Sequence, residues 1–183
     1  MGVFDTIKNI YANRQIKIDA KNLVRQKVVC NIDDAKTIGI CFPFTDKDDF
    51  ELLKKYVLYL RDLKKKVKAI GYYTTKEEPY VQYSKVDYDF FAKSSHNWYG
   101  KPTDHIVTNF IEEEFDILIA INTNNDAVLT YVAAMSHAKF KLGRFDEKDW
   151  IHDLLFEADK DKGLKFFLRQ VDTYLAMINK AAK

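Results

Sequence analysis

The chain has 183 residues, with 29 basic and 27 acidic side chains and a formal net charge of +2. Hydrophobic residues make up 47% of it, and with six Gly and three Pro this composition excludes a disordered chain and predicts one domain with a sizeable core. The two cysteines lack metal-site or CxxC spacing, no apolar run could span a membrane, and the start lacks the apolar core of a signal peptide. These features predict a cytoplasmic protein.

The N-terminal segment differs from the rest in charge. Residues 1–32 carry six basic and two acidic side chains. Its apolar residues are spaced like helical packing faces, namely Phe4, Ile7, Ile10, Tyr11, Leu23, Val24, Val28 and Val29. We therefore divide the chain into a basic amphipathic extension, residues 1–34, and a single Rossmann-like α/β domain, residues 35–183. The extension either packs on the domain or a partner subunit, which the apolar pattern favours, or contacts nucleic acid through Arg14, Lys17, Lys21 and Arg25.

The next segment predicts a strand, an amphipathic helix and a second strand. The first strand covers Thr37–Phe44, and Asp46 caps a helix from about Lys47 to Lys65. Val67–Tyr73 forms the second strand. A short strand near residues 86–91 and a helix from Thr103 or Asp104 to about Glu114 follow.

The segment from Phe115 to Phe145 is the clearest βαβ unit. It predicts a strand at Asp116–Ile121, a polar turn at 122–126, a helix at Ala127–Lys139 and a strand at Phe140–Phe145. The nearly unbroken apolar run of the first strand is typical of burial on both faces. A weak strand at Ile151–Glu157 and a helix at Lys162–Lys180 close the chain. The predicted fold is three-layer α/β: a mostly parallel sheet of five or six strands with helices on both faces.

A ligand site is expected at the carboxyl ends of the strands. With strand order 3-2-1-4-5, the first and fourth strands end beside each other, where ligands of open α/β sheets bind. The residues at these ends are our ligand-binding candidates: Thr45, Asp46, Tyr73, Thr74, Asn122, Asn124 and Asn125. The asparagines either cap the following helix, which we favour, or bond a polar ligand.

Recognisable catalytic and cofactor motifs are missing from the sequence. No glycine follows the first strand, and the chain has no P-loop or dinucleotide fingerprint, so we predict no cofactor. Asp46, Asp48 and Asp49 are interpreted as helix caps and dipole partners rather than as a magnesium or acid–base site. The four histidines are scattered, so we predict no metal. Whether the protein is an enzyme stays open.

The loop from Ser94 to Pro102 is unusual in composition. Trp98, Tyr99 and Lys101 could form an exposed stacking or partner-binding surface. In the interpretation that we favour, Trp98 instead plugs the end of the sheet.

Three segments carry a resemblance to known proteins: Asn97–Pro102, Phe115–Ile119 and Tyr131–Gly143. On these the chain resembles a small family of uncharacterised α/β proteins from Bacteroidetes bacteria, over about residues 35–180. That family has no assigned activity, so the resemblance implies a fold and no residue roles. The stretch from Asp116 to Phe145 also resembles the N-terminal half of heptosyltransferase-like glycosyltransferases, which bind a sugar nucleotide with a second Rossmann-like domain.

The sequence thus predicts a Rossmann-like module that binds a protein partner or a small polar ligand. One alternative is a nucleic-acid- or ribosome-associated protein that uses the basic extension. A second alternative is a glycosyltransferase-like enzyme without its second domain.

Overall fold

The computed structural model describes residues 3–74, 88–122, 126–147, 149–157 and 163–178, with backbone only for residues 3–9 and 93. The described helices are α1 (Val3–Ala20), α2 (Lys47–Asp62), α3 (His105–Glu112), α4 (Ala127–Met135) and α5 (Gly163–Met177). The described strands are β1 (Thr37–Pro43), β2 (Lys66–Tyr73), β3 (Tyr88–Ala92), β4 (Ile117–Ala120), β5 (Phe140–Arg144) and β6 (Leu154–Phe156). Within these ranges no helix is both long and apolar enough to cross a membrane.

The described strands form one parallel sheet in the order β3-β2-β1-β4-β5-β6. Strand β1 lies at the centre, where Ile40 pairs with Ala69 of β2 on one side and Ile119 of β4 on the other. The predicted order of the first five strands is therefore confirmed, and β6 extends the sheet beyond β5. The chain reverses its direction of travel across the sheet between β1 and β4, so the carboxyl ends of these two strands meet at a switch point.

The helices cover both faces of the sheet, which confirms the three-layer α/β fold. On one face, α2 and α5 bury Phe50, Leu53, Leu60 and Leu168 against β1 and its neighbours. On the other face, α3 and α4 bury a second cluster that includes Phe110 and Val132. A strand buried on both faces has no solvated side, which explains why the apolar run at Ile117–Ala120 does not alternate with polar residues.

Helices α2 and α4 end earlier in the structure than the sequence pattern indicates. Helix α2 ends at Asp62 rather than Lys65, because Lys64 adopts a left-handed backbone with φ of +62°. Helix α4 ends at Met135 rather than Lys139, where Ser136 leaves helical geometry. The backbone N–H of Lys139 then donates to the carbonyl of Phe115, a neighbour in space rather than in the helix. Of the strand predicted at 86–91, residues 86 and 87 lie outside the described part of the chain.

The extension packs through different residues from those predicted. Helix α1 buries Ala12 and Ile16, whereas Ile10 and Tyr11, which we expect to pack, are exposed. The helix ends at Ala20, so the second predicted helical face does not form, and Val24 is 90% exposed. Ala12 has a small side chain, which contributes little to a hydrophobic pattern. The pattern therefore indicates the larger and more apolar Ile10 and Tyr11.

Arg25 joins the extension to Asp153, the residue before the edge strand β6. One guanidinium nitrogen contacts both carboxylate oxygens of Asp153, at 2.6 and 2.8 Å, and another donates to the carbonyls of Ala138 and Lys139. The Arg25 side chain is 7% exposed. Asp153 also accepts the backbone N–H of Lys141, so this carboxylate is bonded from two segments. Burial opposes its ionisation, but the bonds from Arg25 and Lys141 outweigh burial and lower the pKa of Asp153.

A lysine lies inside the second core. The side chain of Lys141 is buried, and its Nζ donates to the carbonyl of Ala134 near the end of α4, at 2.9 Å. Burial, reinforced by the charge of Arg25, lowers its pKa to about 7. The charged form of this amine is therefore poorly accommodated by the fold.

We expect Arg25→Ala to lower the free energy of unfolding by about 3 kcal/mol, because it leaves the Asp153 carboxylate without its main cationic partner. Urea unfolding measures this loss. Arg14→Ala is the matched control, since Arg14 is exposed, and it should change stability by less than about 0.5 kcal/mol. Equal effects of the two variants would contradict this account of Arg25.

Lys141 should make stability rise with pH. Its pKa is about 7 in the folded protein, against about 10.4 in an unfolded chain. Between these values the unfolded state binds more protons, so the free energy of unfolding increases with pH, by at most about 1.4 kcal/mol per pH unit. Lys141→Met should be more stable than the wild type at neutral pH and lack this component. Urea unfolding of both proteins from pH 7 to pH 9.5 measures it, and parallel curves would rule it out.

Candidate functional site

The predicted rim residues after β1 stabilise the start of α2. Asp46 caps the helix, since its Oδ1 accepts the backbone N–H of Asp49 at 2.8 Å. The Thr45 hydroxyl donates to Asp46 and Asp49 at 3.4 and 3.3 Å. Asp46 is therefore confirmed as the helix cap, and Asp48 and Asp49 lie in the first turn of α2. Burial, together with the charge of Asp46, raises the pKa of Asp49. Within the described ranges, no group of His, Cys, Asp and Glu is arranged to hold a metal ion.

Thr45 and Asp46 line a small cavity of about 120 Å³. Most of its other lining side chains are apolar, from the end of β1, the start of α2, the residue after β4 and the start of α5: Phe42, Pro43, Phe44, Phe50, Ile121 and Leu164. This volume is below the range of about 300–1,000 Å³ that is typical of ligand sites. Tyr73 and Thr74, at the end of β2, line neither this cavity nor the larger one described below.

Asn122 closes the turn between β4 and α4. Its Nδ2 donates to the Asp126 carbonyl and the Thr130 hydroxyl, both at 3.1 Å, and its Oδ1 accepts the backbone N–H of Asp126 at 2.8 Å. Asp126 in turn caps α4 through the N–H of Val128. Asn124 and Asn125 lie outside the described residues. The amide of Asn122 is therefore engaged within the turn, and the residue that caps α4 is Asp126.

A larger cavity lies on the α4 side of the sheet, at the carboxyl ends of β4 and β5. Its volume is about 510 Å³, within the range of small-molecule sites. We call it the α1–α4 cavity. Its walls come from α1, the end of β4, α4, and the connection between β5 and β6, through Ile10, Asn13, Arg14, Lys17, Ala120, Asn122, Leu129, Thr130, Ala133, Arg144, Asp146, Asp149, Trp150, Ile151 and His152.

Helix α1 contributes positive charge to this cavity. Arg14 and Lys17 are one helical turn apart and both line it, so they present their charges to the same space. Both side chains are exposed, and neither forms an ion pair with a carboxylate in the part of the chain that the structure describes. The Lys17 ammonium lies over the Trp150 ring, 5.4 Å from its centre, which is a cation–π contact. Arg144 adds a guanidinium and Asp146 a carboxylate at the end of β5.

The β5–β6 connection places a histidine–aspartate pair at the cavity. Nδ1 of His152 lies 2.6 Å from Oδ2 of Asp149, and Oδ1 of Asp149 accepts the backbone N–H groups of Ile151 and His152. The two side chains are 10% and 9% exposed. Burial opposes ionisation of Asp149, but the bonds from His152 and the two backbone groups outweigh it and lower the pKa of this carboxyl.

Gly143 on β5 makes room for the imidazole. A Cβ at this position would lie 2.5 Å from Cγ and Cδ2 of His152, so the ring packs directly on the backbone. His152 is therefore fixed from two directions, by the strand beneath it and by Asp149. The sequence signal that could have indicated this pair is the spacing Asp149-x-x-His152, which overlaps the start of the strand that we predict at Ile151–Glu157.

The partner-surface candidates have separate locations. Trp98 is 56% exposed, so its interpretation as a plug of the sheet is wrong. The Tyr99 ring instead packs toward Tyr131 of α4, and its hydroxyl donates to Asp19 of α1 at 3.4 Å. Lys101 and Lys21 are exposed.

Of the basic candidates in the extension, Arg14 and Lys17 line the α1–α4 cavity, whereas Arg25 is buried against Asp153. The Arg25 guanidinium therefore does not face solvent. Contact of the extension with nucleic acid stays a prediction.

Residues 8–178 match a family described as a family of unknown function, DUF6913. The chain belongs to this family. The match begins inside α1 and ends after α5, so it includes most of the extension and every wall of the α1–α4 cavity. No curated protein and no solved structure matches the chain. The Bacteroidetes origin and the resemblance to heptosyltransferase-like enzymes stay predictions.

Gly143→Ala should displace His152, because the added methyl group collides with the imidazole. We expect the free energy of unfolding to fall by about 1–3 kcal/mol. In a His152→Ala background the collision is removed, so the same substitution should cost much less. A double-mutant cycle by urea unfolding measures this coupling. An equal cost in both backgrounds would show that the glycine is needed for another reason.

Proposed function

We propose that the protein is a Rossmann-like binding module whose α1–α4 cavity takes a small polar ligand with an anionic group. The observation that carries this proposal is the pair of exposed cationic side chains, Arg14 and Lys17, on the wall of a cavity of about 510 Å³ at the carboxyl ends of β4 and β5.

The position of the cavity supports binding. Ligands of open α/β sheets bind outside the carboxyl ends of the strands, because the loops there leave a crevice. Ala120 and Arg144 are the last residues of β4 and β5, and both line the cavity. The predicted site lies at the same end of the sheet, but its residues Thr45 and Asp46 line only the smaller cavity, on the other side.

The charges of the wall support an anion. Arg14 and Lys17 carry two positive charges that no described carboxylate pairs with. Of the two acidic residues in the lining, Asp149 is already bonded by His152 and by two backbone N–H groups. A ligand carboxylate or phosphate would therefore meet two cationic side chains whose hydrogen-bond donors are available, and the Asp149 carboxylate does not compete for them. Charge-assisted hydrogen bonds of this kind are among the stronger polar contacts.

Isothermal titration with two probes, inorganic phosphate and succinate, tests the proposal. The wild type should bind at least one of them, and Arg14→Gln with Lys17→Gln should weaken this binding about tenfold or more, since each lost charged contact is worth about 1.5–3 kcal/mol. The matched control is Lys165→Gln with Arg169→Gln, which removes two exposed charges from α5 on the opposite face of the sheet.

The control double variant should bind as the wild type does. If the two double variants lose affinity equally, the effect comes from net charge and not from the cavity. If the wild type binds neither anion, the proposal fails.

A further inference from the structure

The Asp149–His152 pair includes one ring nitrogen, Nε2 of His152, that has no hydrogen-bond partner in the part of the chain that the structure describes. Asp149 is an acceptor at both oxygens, so Nδ1 of His152 must carry the proton of the bond between them. In the neutral ring, Nε2 is then a hydrogen-bond acceptor. This nitrogen is buried and has no hydrogen-bond partner among the described residues.

An unpartnered buried acceptor costs stability, about 1–3 kcal/mol for a polar group of this kind. The surrounding contacts nevertheless hold the ring in place, since Gly143 and Asp149 fix its position from two sides. Nothing in these contacts needs a histidine rather than another ring, except the bond to Asp149. Three hydrogen bonds to Asp149 and a glycine in β5 thus orient an imidazole whose Nε2 has no partner among the described residues.

We propose that Nε2 of His152 accepts a hydrogen bond from a hydroxyl group of the ligand, so that the ligand is a small hydroxycarboxylate. This inference rests on the proposed function and adds a substrate class to it. Arg14 and Lys17 bind the carboxylate, and Nε2 of His152 accepts the hydrogen bond of the hydroxyl group. These three side chains line the same cavity. A carboxylate without a hydroxyl satisfies the cations but leaves Nε2 unpartnered.

A ligand in the cavity can reach this nitrogen only after a small rearrangement of the cavity wall. Because Nε2 is buried in the unliganded protein, a neighbouring side chain of the wall must turn aside. Arg14 and Lys17 are long, exposed side chains of that wall, and they would move toward the bound carboxylate. The imidazole itself stays fixed on Gly143.

Malate and succinate form the decisive pair of probes, because they differ by one hydroxyl group. Isothermal titration of the wild type should show malate binding about three- to tenfold more tightly than succinate, the value of one hydrogen bond to a buried acceptor. His152→Phe keeps a ring and removes the acceptor, so it should bind the two acids equally. The same substitution at His105, an exposed residue at the start of α3, is the control and should keep the preference.

The tautomer can be measured without any ligand. Nitrogen NMR of the imidazole at about pH 8, where an ordinary histidine is neutral, should find the proton on Nδ1 of His152. In Asp149→Asn the side-chain amide replaces the accepting oxygen with a donor, so the proton should move to Nε2.

The outcomes separate this inference from the proposed function. If the wild type binds malate and succinate equally, or if His152→Phe keeps the preference, the role of His152 is wrong although anion binding stands. A proton on Nε2 in the wild type would also overturn it. If neither acid nor phosphate binds, the proposed function fails and the inference with it. The comparison of malate with succinate uses only the wild type, so it tests the inference even if His152→Phe does not fold.

Discussion

The parallel pairing of β1 with β4 is the constraint on which the rest of the structure depends. These two central strands are joined by more than 70 residues of chain that first extend the sheet to one side and then return. Their pairing fixes the switch point and puts α2 and α5 on one face of the sheet and α3 and α4 on the other. It also brings the turn at Asn122 to the carboxyl ends of the strands, where open α/β sheets bind ligands. At the amino ends of the strands, the Asp116 carboxylate accepts hydrogen bonds from the backbone of Lys36 and Thr37 and from the Lys139 side chain. These bonds hold β1, β4 and β5 in register.

The parts of the fold that sequence predicts are those with local causes. The apolar run of β4 follows from burial on both faces, and the cap at Asp46 follows from the need to satisfy the first N–H groups of a helix. The stripe of α5 that includes Phe167 and Val171 follows from helical periodicity. Each of these signals is contained within a few residues, so a single sequence is enough to detect it.

The parts that sequence does not predict depend on contacts between distant segments. Arg25 and Lys141 are charged residues, which are normally at the surface, and only the folded structure places their partners Asp153 and Ala134 beside them. The α1–α4 cavity is similar, because its cationic wall and the His152 wall are more than 130 residues apart in the chain. Reasoning from strand ends indicates the carboxyl ends of the strands, where this cavity lies, but it cannot indicate on which face of the sheet a cavity opens.

The contacts between the N-terminal segment and the sheet have a further consequence for how the cavity forms. Its two walls come from segments more than 130 residues apart in the chain, and Arg25 bonds Asp153, the residue that follows His152. The secondary structure of either segment alone therefore makes no pocket, which exists only once these distant segments have docked. A small molecule bound there would stabilise both segments together, so its binding would depend on their cooperative assembly.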